Sequence, residues 1–214
     1  MRQRHIKGLE QKLAALSHHL VPDPSAQKGR WQTLGTPNAQ RLYIEVGCGK
    51  GKFLMQKAAS DPMGYYIGIE GNENVILRGI EKLELLGLQN ALFVASYVEN
   101  ILDWFDPGEL SGIYLNFSDP WPKPRHEKRR LTHGDKLQGY MKSLKPGGFL
   151  EFKTDNRDLF LFTMEEIKAL DLTVEEQTEN LHDSTYTAKE TLTEYEEKFS
   201  SWGKSIYYVR IRKE

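Results

Sequence analysis

From Arg41 onward, short β-rich runs alternate with helical patterns, and the first strand-to-helix turn, Glu45-Val-Gly-Cys-Gly-Lys-Gly51, carries glycines at 47, 49 and 51. The spacing predicts strands at Leu42 to Val46, Tyr65 to Glu70, Ala91 to Ala95, Gly112 to Phe117 and Phe149 to Thr154. Helices are expected from about Gly51, over Asn72 to Leu86, near Thr132 to Leu144 and from about Asn156. Lys145-Pro-Gly-Gly148 reads as a turn. Strands recurring with helices between them argue a parallel sheet covered on both faces. After Leu170 the pattern changes to a run from Leu172 to Gln177, a polar stretch and a terminal strand Ile206 to Ile211, the mark of a late antiparallel hairpin. The expected fold is α/β: a Rossmann-like, doubly wound, seven-stranded, mostly parallel sheet with an antiparallel C-terminal strand. Residues 1–40 read as an N-terminal extension and 41–214 as the domain. In the extension, Leu9, Leu13, Leu16 and Leu20 mark one helical face, Pro22 and Pro24 stop it, and Lys28 and Arg30 read as linker charges.

The only cysteine, Cys48, rules out an intrachain disulfide, and no Cys/His group has zinc-ligand spacing, so no metal is expected. No run approaches the roughly 20 apolar residues that span a bilayer, and no signal peptide follows Met1, so a cytoplasmic protein is expected. The net charge of −1 is unevenly spread. Lys123 to Arg130 holds five Lys/Arg against Glu127, while Thr163 to Glu197 holds eleven acids against two bases. Such segregation suggests one face offered to a polyanion.

The glycine turn lies where this fold class receives a nucleotide. It is not a dinucleotide fingerprint, because Lys52 stands where a third glycine is required, and it is not a P-loop. Glu45 beside the glycines suits a cationic amino-acid moiety better than pyrophosphate. Glu70 ends the second strand about twenty residues on, the spacing of a ribose-binding acid. Together these point to S-adenosylmethionine.

A second feature is the segment Asn116-Phe-Ser-Asp-Pro-Trp-Pro-Lys-Pro-Arg-His-Glu-Lys-Arg-Arg130, which follows the fourth strand. Prolines at 120, 122 and 124 make it a stiff, projecting loop. It sets one acid, Asp119, and Trp121 at the head of a run of cations, an arrangement that reads as an acid for a base and cations for its phosphate backbone. A Pro-rich charged surface turn, with Trp121 covering a core edge, is the plainer alternative.

At this point the residues resemble a family. Glu45 to Gly51, Gly68-Ile-Glu70, Tyr114-Leu-Asn-Phe-Ser-Asp-Pro-Trp-Pro-Lys123, Arg125 to Arg130, Phe152-Lys-Thr-Asp-Asn-Arg157 and Thr193-Glu-Tyr-Glu-Glu-Lys-Phe199 resemble the bacterial single-subunit tRNA (guanine-N(7)-)-methyltransferases. The resemblance runs from about residue 28 to the C-terminus and implies the class I methyltransferase fold and methylation of a variable-loop guanosine in tRNA. It implies that Glu45, the glycines 47, 49 and 51, Glu70 and Asp119 contact the cofactor, with Asp119 also catalytic. It further implies that Lys123, Asp155, Thr193, Glu194, Tyr195 and Glu196 hold the substrate, and that Arg125, His126, Glu127, Lys128, Arg129 and Arg130 lie on the RNA. Two positions depart from the family pattern: Tyr97 stands where an acid usually faces the adenine, with Glu99 two residues on, and is expected to bind the cofactor by stacking on the ring or donating through its hydroxyl, and Pro124 replaces a second lysine.

N(7) of guanine carries a lone pair and no proton, so attack on a sulfonium methyl needs no general base. Asp119 is therefore expected to orient guanine rather than abstract a proton, with Asp155 and Glu196 adding contacts and Trp121 or Tyr195 receiving the unstacked base. His126 and His133 read as surface or RNA-facing residues. Thr193-x-x-Glu196 is also a capping-box pattern, and Asp155-Asn156 is also an N-cap signal. The alternatives are a methyltransferase acting on another substrate, and an RNA-binding module that has lost methyl transfer. Oligomeric state is not encoded legibly.

Overall fold

The computed structural model describes residues 6–35, 39–199 and 204–214. Strands β1 (Arg41–Val46), β2 (Gly64–Ile69), β3 (Ala91–Val94), β4 (Leu110–Asn116), β5 (Leu144–Thr154), β6 (Thr173–Thr178) and β7 (Tyr207–Arg212) form one sheet in the order β3-β2-β1-β4-β5-β7-β6. The pairings from β3 to β5 are parallel, and β7 runs antiparallel to both β5 and β6. The expected fold class is the one observed.

Burial on both faces explains why these strands lack simple polar alternation. In β1, Leu42, Ile44 and Val46 enter one core cluster, which Leu137 and Phe160 complete from α4 (Gly134–Ser143) and α5 (Arg157–Ala169). Tyr43 enters the opposite cluster, with Phe53 from α2 (Lys52–Ser60) and Ile80 from α3 (Glu73–Leu86). The helix ends follow from local chemistry. Asn72 caps α3 by accepting the Asn74 N–H, and Gly87, at φ 63°, closes it by donating to the Leu83 and Glu84 carbonyls. Asn156 caps α5 by accepting the Leu159 N–H at 2.8 Å, which satisfies the N-cap signal seen at Asp155-Asn156.

Three local expectations are revised. The first helix is shorter than 9–20: α1 covers Leu9–Ala15, Leu16 leaves helical geometry, and a 3-10 turn follows at Ser17–His19. The chain then bonds to the sheet, with the Val21 N–H donating to the Phe93 carbonyl at 2.9 Å. Second, Lys145-Pro-Gly-Gly148 does not precede the fifth strand but lies inside it, as an irregularity where the pairing with β4 shifts between Leu110 and Gly112. Third, the segment around Lys28 is docked rather than a free linker. Lys28 Nζ donates to the Leu102 carbonyl at 2.6 Å, and Trp31 is fully buried, stacked on Phe105 at 4.8 Å and donating through Nε1 to the Trp104 carbonyl at 2.7 Å. Among the described residues no helix is long and apolar enough to cross a membrane.

Trp31 thus anchors the N-terminal segment through both area and a hydrogen bond. Trp31→Ala is expected to lower unfolding free energy by about 3–5 kcal/mol in denaturant titration, the usual cost of deleting a buried large aromatic. A loss below about 1 kcal/mol, the scale of surface substitutions and weak contacts, would show that the segment is not part of the cooperative unit.

Candidate functional site

The connections from β1 and β4 leave their neighbouring strands in opposite directions, which opens a crevice at the carboxyl ends of these two strands. Their parallel register brings Glu45 beside the end of β4, where Asn116 Nδ2 donates to Glu45 Oε1 at 2.8 Å. Both residues are buried. Burial pushes the Glu45 carboxyl up to about 8, against the lowering pull of the Asn116 amide. Glu45 Oε2, Asn116 Oδ1 and Ser118 Oγ are buried without a hydrogen-bond partner. Unsatisfied polar atoms grouped at a crevice mark a place built for a ligand.

The crevice holds a cleft of about 780 Å³ whose wall includes Gly47, Gly49, Glu70, Tyr97 and Asp119, within the size range of small-molecule sites. Glu45 does not itself line it but precedes Val46, which does. Gly47 and Gly49 hold φ of 75° and 57°, and a Cβ on either would meet nothing within 4 Å, so their glycines serve the backbone bend while the space above them stays open. Gly51, at φ 71°, instead N-caps α2 and lies against Phe93, away from the cleft wall. Glu70 is clamped by two backbone donors, Gly49 N–H at 3.1 Å and Asn72 N–H at 2.8 Å. It therefore ties the glycine turn to the start of α3 while each oxygen keeps a further lone pair. Tyr97 is three-quarters exposed and lies so close over Gly71 that a Cβ there would meet its ring at 2.3 Å. Its ring lines the cleft, which fits a stacking role toward a nucleobase. These residues fit a nucleoside with a cationic amino-acid arm.

The loop after β4 turns sharply, with Phe117 at φ 52° and Trp121 at φ 41°, before a 3-10 helix at Pro124–Arg129. Asp119 is exposed on the cleft wall, and among the described residues no group donates to it. Trp121 lines the cleft beside it, with the Arg129 guanidinium 5.0 Å from its ring centroid and the His126 ring edge-on at 5.6 Å. Arg130 has a different task. It donates to the Pro120 and Trp121 carbonyls at 3.1 and 3.3 Å, sits 4.2 Å from the Phe162 ring centroid, and is only 13 % exposed, so it braces the loop. Glu127 pairs with it at 3.7 Å. Lys123, Arg125, Lys128 and Arg129 stay exposed. His133 caps α4 by accepting the Asp135 N–H, a local structural role.

The C-terminal motif is divided in the same way. The Thr193 N–H donates to Glu196 Oε2 at 2.9 Å and the Glu196 N–H donates to Thr193 Oγ1 at 3.0 Å, so the capping box is formed at the start of α6 (Glu194–Phe199). Thr193 and Glu196 are buried, which leaves the more accessible Glu194 and Tyr195 to face outward. Glu194 pairs with Lys82 at 2.8 Å, and the Tyr195 hydroxyl donates to Asp155 at 2.9 Å while its ring lies 4.8 Å from Phe117. Asp155, Tyr195 and the Asp119 loop are thereby connected.

Sequence reasoning missed four contributors. Lys153 on β5 is fully buried, donates to the Ala188 and Thr191 carbonyls at 2.6 and 3.1 Å, and lies 3.5 Å from Glu196 Oε1. Its burial pushes the ammonium down, opposed by Glu196. A lysine between Phe152 and Thr154 in a buried strand was the available signal. Asn116 was visible only as the first residue of the Pro-rich loop, and Ser118 carried no signal. Lys136 lines the cleft and donates to the Glu99 carbonyl at 3.1 Å, which nothing in its helical pattern foretold.

A family model described as "Putative methyltransferase" matches residues 39–209. Proteins named tRNA (guanine-N(7)-)-methyltransferase align along nearly their whole length. That of Lachnoclostridium phytofermentans is 44% identical, covering 97% of this chain and 96% of the relative. That of Clostridioides difficile is 41% identical, covering 100% and 99%, and that of Bacillus subtilis 39%, covering 99% and 98%. Among solved structures, the 16S rRNA methyltransferase KamB superposes with a TM-score of 0.65 at 10% identity, covering 86% of this chain and 92% of its own. A SAM-dependent methyltransferase from Aquifex aeolicus superposes at 0.57 and 15% identity, covering 90% and 99%. These two likenesses speak to the fold alone.

The Glu45 environment yields a test. With a folded value near 8 and an unfolded value near 4.5, the folded protein holds a proton that the unfolded chain has lost between those limits. This contribution to stability is complete below about 4.5 and falls away as pH rises to about 8. Glu45→Gln keeps an acceptor for Asn116 and cannot ionise. Thermal melts of the two proteins between pH 5 and 8.5 should show wild type losing ground to the variant; parallel curves would reject the buried, protonated carboxyl.

Proposed function

This chain belongs to the family of the tRNA (guanine-N(7)-)-methyltransferases, and on that premise we propose that it methylates N(7) of a variable-loop guanosine in tRNA, using S-adenosylmethionine, in the bacterial cytoplasm. The observation that carries the reading is Asp119: an unpartnered carboxylate on the same cleft wall as Gly49, Glu70 and Tyr97, at the head of exposed cations.

S-adenosylmethionine, when bound, supplies an electrophilic sulfonium methyl. The cleft residues hold it: Gly47 and Gly49 through their open backbone, Glu70 through its remaining acceptor capacity, Tyr97 against the base, and Glu45 and Asn116 as the polar floor. Asp119 accepts hydrogen bonds from the Watson–Crick edge of guanine and so fixes N(7) in line with the methyl, a gain in proximity rather than in basicity. Because methylation leaves the guanine cationic, the same carboxylate favours the charge as it develops. Trp121, beside Asp119, receives the flipped base, with the Arg129 guanidinium covering the indole. Glu194, Tyr195 and Asp155 position the substrate beside the Asp119 loop, held in place by the capping box and by Lys153. Lys123, Arg125, Lys128 and Arg129 neutralise phosphates, while Arg130 keeps their loop in shape.

The decisive experiment incubates unmodified tRNA with the protein and S-adenosylmethionine, then maps the product by nucleoside mass spectrometry. Methylated guanosine in the variable loop is expected; absence of product, or methylation elsewhere, overturns the assignment. Failure to bind S-adenosylmethionine would favour an RNA-binding module instead.

Asp119→Ala should lower turnover by about 10²-fold or more, the scale of a lost transition-state contact, while tRNA affinity stays within about threefold. Unchanged turnover would remove Asp119 from the reacting centre. Lys128→Ala combined with Arg129→Ala should weaken tRNA binding and reduce the slope of log affinity against log salt by up to about two. Arg130 is unsuited to that test, since its loss would also release the loop.

A further inference from the structure

Away from the cleft, at the far end of α3, two adjacent imidazoles from the N-terminal segment meet one carboxylate. His18 Nε2 and His19 Nε2 lie 2.9 and 2.6 Å from the same oxygen of Glu84, and the three donor atoms all fall within 4.8 Å of one another. None of the three residues takes part in the cleft. We propose that His18, His19 and Glu84 form a binding site for a divalent transition cation of the zinc class, which fastens the N-terminal segment to α3.

The donor set is the first reason. Two imidazoles and a carboxylate are a known zinc combination, and zinc bonds of about 2.0–2.2 Å place tetrahedral donors roughly 3.4 Å apart. The two His–Glu distances lie below that spacing and need to widen by under about 1 Å on the same geometry, while all three donors already sit within 4.8 Å of one another, so small side-chain adjustments reach it. Glu84 and His18 are about half exposed and free to move, whereas His19 is 9 % exposed and fixed.

Preorganisation is the second reason. The histidines sit on the 3-10 turn Ser17–His19, held between Leu16, which packs on the core, and Leu20, which bridges to Phe93. Glu84 sits on the last turn of α3, which Gly87 closes. Room is the third. His18, His19 and Glu84 border a cavity of about 610 Å³ together with Gly87 and Gln89, space enough for water to complete a coordination sphere.

As plain histidine–carboxylate contacts, partly exposed to solvent, these would contribute little to stability. A bound cation instead closes a loop of more than sixty residues, where the entropy gain is large. Linear spacing did not reveal the site because its carboxylate follows the two histidines by 66 and 65 positions.

The test titrates the chelator-treated full-length protein with Zn²⁺ by calorimetry. One-to-one saturable binding is expected, accompanied by a Zn²⁺-dependent rise in Tm. Glu84→Gln and His18→Asn, each checked for folding by circular dichroism, should weaken that binding by at least about tenfold and remove the Tm rise. Both are surface changes that leave the cleft intact, so methyl transfer should be unaffected. No saturable binding by wild type, or equal affinity in both variants, overturns the proposal and leaves the cluster as a histidine–carboxylate ion pair.

Discussion

The β1–β4 pairing governs the ligand end of the molecule. β1 has β2 on one side and β4 on the other, and the chain leaves these neighbours in opposite directions, so the carboxyl ends of β1 and β4 form an open crevice rather than a covered edge. A side-chain hydrogen bond, Asn116 to Glu45, bridges the two strand ends inside the protein. Burial of that carboxyl, against the lowering pull of the contact itself, is why Glu45 holds its proton far above the ordinary range. The glycine turn, the Glu70 clamp and the Asp119 loop all start within a few residues of this bridge.

Much of this was legible before the fold was seen, because its causes are local. The strands follow from β-rich runs of the right length, and Asn72 and Asn156 announce their helices through their own side chains. The order of the last three strands required more, since only tertiary packing decides that β7 enters between β5 and β6. At the site, Asp119 and the glycines were legible because composition sets them apart from ordinary turns. Arg130 was not, since five cations in one segment look alike in sequence. Only the path of the loop shows that one of them points back at the Pro120 and Trp121 carbonyls. Thr193 and Glu196 carried two readings, and their burial shows that the cap is built. Lys136, Asn116 and Lys153 act through contacts with distant backbone or side chains, which no spacing rule registers.

A common division of labour follows in both functional segments. In the Pro-rich loop, Arg130 and Phe117 shape the backbone while Asp119 remains unsatisfied and available. In the C-terminal motif, Thr193 and Glu196 cap one another in the interior beside Lys153, while Tyr195 and Glu194 reach across to Asp155 and α3. The buried groups of both segments thus hold the outward residues in position, with the Lys153–Glu196 pair bearing the desolvation cost of a buried ion pair. The Tyr195–Phe117 contact joins the two segments, so a change in one is felt by the other.

The insertion of β7 between β5 and β6 has a consequence for biogenesis. β7 follows every other described element in the chain, yet β6 pairs with nothing else and β5 has no other partner on that side. As the polypeptide emerges from the ribosome, the five parallel strands and their helices can assemble first, leaving the β5 edge open. Among the described residues the β6 strand gains its pairing only when β7 slides into place, whereas the motif that carries Tyr195 already has Lys153, Asp155, Phe117 and Lys82 to rest on. A nascent chain can thus complete the cleft, whose lining residues all precede β5, before the antiparallel half of the sheet closes beside it.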